Sequence, residues 1–371
     1  MALTIEEQIK AIEEEIAKTQ YNKKTQGHIG LLKAKMARLR MDLEKRRSAS
    51  KGGAPGYSVK KSGNATIALV GFPSVGKSTL LTKLTDARSE VAAYAFTTVD
   101  VVPGIMEYNF AKIQVLDLPG LIRDASKGKG RGREVLAVVR TADLILFVID
   151  IYDTNLDVLV SELYDAGIRL NTQPPDVIIT KTDRGGIEIK STVPLTKISP
   201  ELASEMVSAY GYINAEVIIR EDIDEEQLID VLTGNRVYMR SITVVNKVDL
   251  VDEHYQEVVR KRLKGHNPIF VSANKGTGLE RLKKVIYSEL DFIHVFLKPQ
   301  GKEADMEEPL VISEGSTVGD LCDNIHRSFR RNFRYANVWG DSAKFPGQMV
   351  GIDHTLSNGD IVTVVIKRGG A

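Results

Sequence analysis

Residues 66–79 read Thr66-Ile67-Ala68-Leu69-Val70-Gly71-Phe72-Pro73-Ser74-Val75-Gly76-Lys77-Ser78-Thr79. A strand-length apolar run stops at Gly71, and Gly76-Lys77-Ser78 opens a helical stretch. Gly71 to Ser78 matches G-x-x-x-x-G-K-[ST] in the strand-to-helix context that the motif requires. Glycines let backbone N–H groups come close to phosphates, and a helix N-terminus favours negative charge. Lys77 is expected to reach the β- and γ-phosphates, and the Ser78 hydroxyl to ligate Mg²⁺. A chance glycine-rich turn can carry the same pattern, so the rest of the chain has to decide.

Downstream, Asp117-Leu118-Pro119-Gly120 follows the apolar run Ile113–Leu116. A carboxylate there can hold Mg²⁺ through water, and the Gly120 N–H can contact a γ-phosphate. Between the two motifs lies Phe96-Thr97-Thr98. A threonine in that position can complete the Mg²⁺ shell only while the γ-phosphate is present, which would make its loop a switch. Asn246-Lys247-Val248-Asp249 follows the apolar run Ile242–Val245. The Asp249 carboxylate can accept hydrogen bonds from guanine N1–H and its exocyclic amine, a donor pair that adenine lacks. Ser272-Ala273-Asn274 comes next, where a backbone N–H can donate to guanine O6. Thr180-Lys181-Thr182-Asp183 is a competing candidate for the base motif. No Ser-Ala element follows it at a suitable distance, and it lies at a turn rather than between a buried strand and a helix.

The texture of the chain changes several times. Residues 1–60 read as basic helices and a linker: Ile5, Ile9, Ile12 and Ile16 recur at helical spacing, Gly27-His28-Ile29-Gly30 predicts a break, and Leu31 to Leu43 resume the period. Residues 48–64, rich in Ser, Gly and Lys, have linker composition. Strands alternate with helices in 61–175, which predicts an α/β domain with a mainly parallel sheet. Residues 176–235 read as an inserted α+β subdomain, with Val177–Thr180 and Ile187–Lys190 forming a hairpin. The parallel texture returns in 236–292. Residues 293–371 read as a small α+β domain with one helix near Val318–Phe329.

Fifty basic residues against forty-nine acidic ones give a net charge of +1, which favours no partner class. A single cysteine, Cys322, excludes an internal disulfide and a cysteine zinc cluster, and points to a reducing compartment. The start of the chain lacks the pattern of a signal peptide, and no apolar run approaches the roughly 20 residues of a membrane span. A cytoplasmic location without membrane attachment is the expectation.

Gly71–Thr79, Tyr94-Ala95-Phe96-Thr97-Thr98 and Asp117–Gly120, in this order, resemble the Obg-related GTPases. Ile29–Arg40, Val70–Leu81 and Gly128–Arg133 bring the resemblance closer, to the developmentally regulated GTP-binding proteins, and it extends over essentially the whole chain. The resemblance implies GTP hydrolysis to GDP and phosphate. It also implies an inserted subdomain like ribosomal S5 domain 2, a C-terminal TGS domain of β-grasp type, a link to ribosomes and translation, and dedicated partner proteins in eukaryotes. Thr98 matches the family's Mg²⁺ ligand.

Leu121 stands where Ras-like enzymes carry a water-orienting glutamine, so slow intrinsic turnover is expected. Some GTPases with an apolar residue there use K⁺, usually with asparagine where this chain has Ser74, which leaves K⁺ dependence open. Arg123, Arg131 and Arg133 are conceivable charge donors or simply solvated. Two basic regions could meet RNA phosphate: Lys33 to Arg47, and Arg327, Arg330, Arg331 and Arg334 among Phe329, Phe333 and Tyr335. A solvated helix face and a packed aromatic core explain the same residues equally well. Two rival readings remain: a GTP-sensing scaffold that does not hydrolyse, and an ATPase, against which Asp249 argues.

Overall fold

The computed structural model describes residues 4–20, 25–50, 62–85, 101–118 and 132–367, without the side chains of Glu44, residues 47–50, Arg133 and Arg327. Two helices, α1 (Ile5–Lys18) and α2 (Gln26–Ser50), come first. Next are β1 (Ala65–Val70), α3 (Lys77–Leu84), β2 (Val102–Tyr108), β3 (Ala111–Asp117), α4 (Gly132–Val139), β4 (Leu144–Asp150), α5 (Leu156–Asp165) and β5 (Ile168–Leu170). The middle of the chain forms β6 (Val177–Lys181), β7 (Ile187–Ser191), α6 (Pro200–Ala209), β8 (Ala215–Ile219) and α7 (Glu225–Thr233). Then follow β9 (Val237–Asn246), a 3₁₀ turn (Val248–Leu250), α8 (Glu253–Arg262), β10 (Ile269–Phe270) and α9 (Leu279–Glu289). The last stretch holds β11 (Phe292–Leu297), β12 (Leu310–Ser313), α10 (Val318–Ile325), α11 (Arg327–Arg331), β13 (Phe333–Trp339), β14 (Gln348–Val350) and β15 (Ile361–Ile366).

These elements form two compact units, Met1–Gly56 with Gly167–Tyr238, and Tyr57–Ala166 with Met239–Ala371. In the second, a sheet runs β10-β9-β4-β1-β3-β2, parallel throughout except for β2. Every residue of β1 is buried, as a central parallel strand covered on both faces must be. Ile67, Leu69, Leu80, Ile113, Leu144, Leu146 and Val244 fill its core. The same unit carries a five-stranded sheet, β12-β11-β15-β13-β14. Its inward residues Val295, Ala336, Val338 and Val362 pack with Leu321 and Cys322 of α10. Cys322 is buried, and desolvation pushes its thiol pKa up. The expected single helix there is two: His326, in extended backbone, ends α10 and caps α11, with its ring Nδ1 accepting from the Ser328 N–H.

The first unit departs from the sequence reading in three places. Gly27 and Gly30 do not break a helix; they lie in the opening turn of α2, where a Cβ on Gly30 would sit 3.0 Å from Glu225 Cγ. Small residues there let α2 lie close against α7. The helix also continues through Ser50, into the segment with linker composition. Ile29, Leu32 and Ala34 of α2 are buried, and Ala34 packs with Ala203, Met206 and Leu228. The Arg40–Glu13 ion pair and the His28–Glu15 hydrogen bond run in opposite senses along α1 and α2, which pack antiparallel.

The expected hairpin of β6 and β7 does not form. β8 lies between them, antiparallel to β6 and parallel to β7. Asn214 makes this possible. Its carbonyl oxygen accepts from Thr182 N, its side chain accepts from Gly186 N, and its amide donates to the Asp183 carbonyl. The Asp183–Gly186 turn therefore bridges two strand spacings instead of closing a two-strand loop. Alternation along β6 and β7 could not separate these topologies, because both bury the same face.

Asp230 of α7 is 6% exposed and accepts from Arg169 Nε and Nη2 at 2.6 and 2.7 Å and from Arg236 Nε at 2.8 Å. Removing the carboxylate leaves Arg169 charged and buried beside Arg236. Asp230→Ala is expected to lower stability by about 3–5 kcal/mol, read as a shifted denaturation midpoint with an unchanged m-value.

Candidate functional site

Five neighbouring parallel strands, β10, β9, β4, β1 and β3, end along one edge of the sheet, and each delivers a polar element there. Ligands of open α/β sheets bind outside the carboxyl ends of such strands. Gly71 to Thr79 follow β1, Asp117 ends β3, Asp150 ends β4, Asn246 ends β9, and Ser272 follows β10.

The loop after β1 is tightly built. A Cβ on Gly71 would lie 2.2 Å from the Val148 carbonyl oxygen. Gly76 has φ +93°, and a Cβ there would lie 2.4 Å from Asn246 Nδ2. Ser74, also left-handed at φ 64°, turns the loop. Phe72 packs partly against the core, Val75 is buried, and Pro73, Ser74, Ser78 and Thr79 are exposed. Gly76 caps α3 with no side-chain hydrogen bond, so the first-turn N–H groups of Lys77, Ser78 and Thr79 have no intrahelical acceptor. Lys77 is 8% exposed, its Nζ donating to the carbonyls of Gly71 and Phe72, each at 3.0 Å. Burial lowers its pKa, with the Asp117 charge pulling the other way.

Ser78 Oγ donates to Asp117 Oδ2 at 2.5 Å. One hydroxyl and one carboxylate meeting beside a helix N-terminus form a hard-oxygen donor pair. This fits Mg²⁺, which takes one or two protein ligands and completes its shell with phosphate and water. No group of three or more His, Cys, Asp or Glu side chains suited to a metal occurs among the described residues. Thr97, Thr98, Gly120, Leu121, Arg123 and Arg131 lie outside the described residues, as does the side chain of Arg133.

The base-motif residues join the same site. Asn246 is 2% exposed; its Nδ2 donates to the Val75 carbonyl at 2.9 Å, and its Oδ1 accepts from Ala273 N at 3.0 Å. One side chain thus ties three motifs together. Lys247, in left-handed backbone at φ 66°, places Nζ 2.8 Å from the Ser74 carbonyl and 2.6 Å from Asp150 Oδ2. Ser272 Oγ donates to Asp249 Oδ1 at 2.6 Å, and this bond holds the Asp249 carboxyl below its ordinary pKa, ionised and able to accept. Asn274 is exposed at the mouth of the loop. The competing Thr180–Asp183 lies in the other unit, exposed along β6 and its following turn. Asp150 escaped the sequence reading. Its only signal was a carboxylate closing an otherwise apolar strand.

The basic regions look different. Lys33 pairs with Glu226 at 2.7 Å, Arg40 with Glu13 at 2.7 Å, and Arg38 donates to the Ala209 carbonyl. Lys35, Lys45 and Arg46 remain exposed on α2. In the C-terminal domain Phe329 and Phe333 pack on the core, and Arg330 pairs with Asp323 at 2.5 Å. Arg331 and Arg334 are exposed, with the Arg334 guanidinium 5.7 Å from the Tyr335 ring centroid.

A family model described as 50S ribosome-binding GTPase matches residues 66–181, one for the C-terminal region of that domain matches 184–292, and a TGS domain model matches 293–366. A GTP-binding protein of Methanocaldococcus jannaschii is 58% identical over 98% of this chain and 93% of its own length. Developmentally-regulated GTP-binding protein 2 of Homo sapiens is 43% identical over 97% of this chain and 99% of its own. Developmentally-regulated G-protein 2 of Arabidopsis thaliana is 44% identical over 98% and 92%.

Gly76→Ala would strain the left-handed loop and push Asn246 off Val75. We expect GDP affinity to fall roughly tenfold or more, measured by titration of a fluorescent GDP analogue, with the melting temperature recorded alongside.

Proposed function

The chain belongs to the developmentally regulated GTP-binding protein family and is a GTP-binding GTPase with a C-terminal TGS domain; from that premise we propose that it works as a ribosome-linked molecular switch. The observation that carries the nucleotide assignment is the Asn246 side chain, bonded to Val75 and Ala273 at once. It makes the phosphate loop and the base loop one site, and so favours Asn246–Asp249 over Thr180–Asp183.

In this reading the backbone N–H groups of the Gly71–Thr79 loop, all but Pro73, hold the phosphates, with Lys77 neutralising the β- and γ-oxygens. Phe72, Pro73, Ser74 and Val75 form the loop around them. Ser78 and Asp117 hold Mg²⁺, joined by Thr98, and the ion supplies charge stabilisation at the phosphates when bound. Gly120 senses the γ-phosphate through its N–H. Asp249, ionised and oriented by Ser272, reads guanine, and the Ser272-Ala273-Asn274 loop closes over the base edge. Adenine would leave the Asp249 carboxylate unpaired, which disfavours ATP. Leu121 offers no hydrogen bond to water, so slow basal turnover follows unless K⁺ or a partner supplies the missing contact.

The ribosome link is supported by the name of the matching family model and by exposed cations, Lys35, Lys45 and Arg46 on α2 and Arg331 and Arg334 in the TGS domain. We assign the protein to the cytoplasm; no helix among the described residues is long and apolar enough to cross a membrane.

Asp249→Asn should exchange guanine preference for xanthine, because the amide donates where the carboxylate accepted. Competition with GTP and XTP measures this; a loss of GTP binding in Asp183→Asn instead would return the base site to the other motif. Ser78→Ala should abolish most Mg²⁺-dependent hydrolysis, while Thr98→Ala should spare GDP binding; equal loss of GDP and GTP affinity in Thr98→Ala would remove its switch role. For the ribosome link, deleting α2 would strip Ile29, Leu32 and Ala34 from a core, so charge substitution is the cleaner variant. Lys35→Glu/Lys45→Glu/Arg46→Glu should weaken co-sedimentation with ribosomes and flatten its salt dependence, by up to about one unit of slope per lost phosphate contact. Unchanged binding at every salt concentration would leave those cations as solvated surface.

A further inference from the structure

The loop that leaves β4 forms a brace on the outer side of the base-reading segment. Asp150 ends β4 opposite Asn246 in the parallel pairing with β9. Its carboxylate is 17% exposed. One oxygen takes Lys247 Nζ at 2.6 Å, and the other accepts from the Tyr152 N–H at 3.0 Å. The Tyr152 hydroxyl then donates to the Leu250 carbonyl at 3.0 Å. Lys247 and Leu250 bracket Val248 and Asp249, so the two ends of the 247–250 segment are held from a single short loop. Lys247 also reaches the Ser74 carbonyl, extending the brace to the phosphate loop. Tyr152 rests against Tyr255 of α8, with ring centroids 5.9 Å apart, and its ring is otherwise exposed.

We propose that Asp150 and Tyr152 are positioning residues for the guanine nucleotide, and that they set how long it stays bound. Neither group lies in a recognised nucleotide motif. Lys247 has left-handed backbone, which costs a non-glycine residue energy and persists only where surrounding contacts hold it. Asp150 supplies the charge-assisted bond that does so. Without it, the Lys247 side chain keeps a single neutral acceptor, Ser74, and the segment carrying Asp249 gains freedom at its N-terminal end. Tyr152 restrains the C-terminal end through one neutral hydrogen bond, so its loss should matter less. Both effects fall on ground-state and transition-state binding alike. They therefore move nucleotide release and KM and leave the chemical step alone.

The inference rests on assigning Asn246–Asp249 to guanine. The test uses the full-length chain loaded with a fluorescent GDP analogue, with release followed after a chase of unlabelled GDP. Asp150→Asn keeps the shape and removes the charge; release should accelerate about tenfold, with KM for GTP raised to match and kcat at saturating GTP unchanged. Tyr152→Phe removes only the hydroxyl and should accelerate release about threefold. Asp150→Glu should recover part of the loss. In a double-mutant cycle, Lys247→Met and Asp150→Asn should be clearly less than additive, since they share the Lys247–Asp150 bond, while Lys247→Met also removes the bond to Ser74. Release rates at the wild-type value in both Asp150→Asn and Tyr152→Phe would overturn the proposal. So would a fall in kcat with KM unchanged, or full additivity with Lys247→Met. If Asp249→Asn fails to acquire xanthine preference, the base assignment itself falls; if it succeeds while the release rates stay constant, only the brace falls.

Discussion

The Asn246 side chain satisfies two buried backbone groups at once, the Val75 carbonyl and the Ala273 N–H. Each would cost about 1–3 kcal/mol if left unmade in the interior. The amide can reach both only because Gly76 has no Cβ and because β9 runs three residues past the level at which β1 ends, which carries Asn246 to the loop. Loops separated by some 170 and 27 residues of sequence are thereby fixed in one place. The parallel sheet supplies the coarse alignment, and this one planar side chain supplies the registration.

Electrostatics follow the same division. The strand ends collect charge at one edge of an apolar sheet: Lys77 sits nearly buried beside Asp117, and Lys247 beside Asp150. Lys77 donates to two carbonyls and feels the Asp117 charge without pairing with it, while Lys247 has both an ion pair, with Asp150, and a carbonyl acceptor. Asp249 differs. It stays half-exposed with one fixed hydroxyl donor, leaving acceptor capacity for a ligand's N–H groups.

The phosphate loop, the parallel order of strands and the base motif could be read from the chain because each is local: an apolar run, a glycine pattern, a helix start. Helix starts are local too: the structure shows capping boxes at Thr4–Glu7, Asp224–Gln227 and Thr317–Asp320. What failed was long-range. Nothing around Asp183-Arg184-Gly185-Gly186 says that Ala215–Ile219 will slide between the two flanking strands, because the deciding residue, Asn214, lies some 30 residues on. Gly27 and Gly30 read as breakers because their reason to be small, the close passage of Glu225 and Leu202, is not nearby in sequence. Asp150 carried no motif, and its meaning depends on a lysine a hundred residues away. The basic stretch of α2 was visible as charge, but only the fold separates Lys33, Arg38 and Arg40, which are engaged, from Lys35, Lys45 and Arg46.

The packing of α2 has a consequence for synthesis. Arg38 meets its partner Ala209 across 171 residues of chain, and Ala34 is buried against Ala203 and Met206 in the same region. A ribosome working at about 5–20 residues per second takes roughly ten to thirty seconds to supply them. For most of that interval Ile29, Leu32 and Ala34 of α2 lack the residues that cover them, while the strands of the other unit are still arriving. In a nascent chain of this design the apolar face of α2 waits some 170 residues for its partners. The face of α2 is covered by α6 and α7 together, before β9 and β10 arrive to complete the nucleotide site.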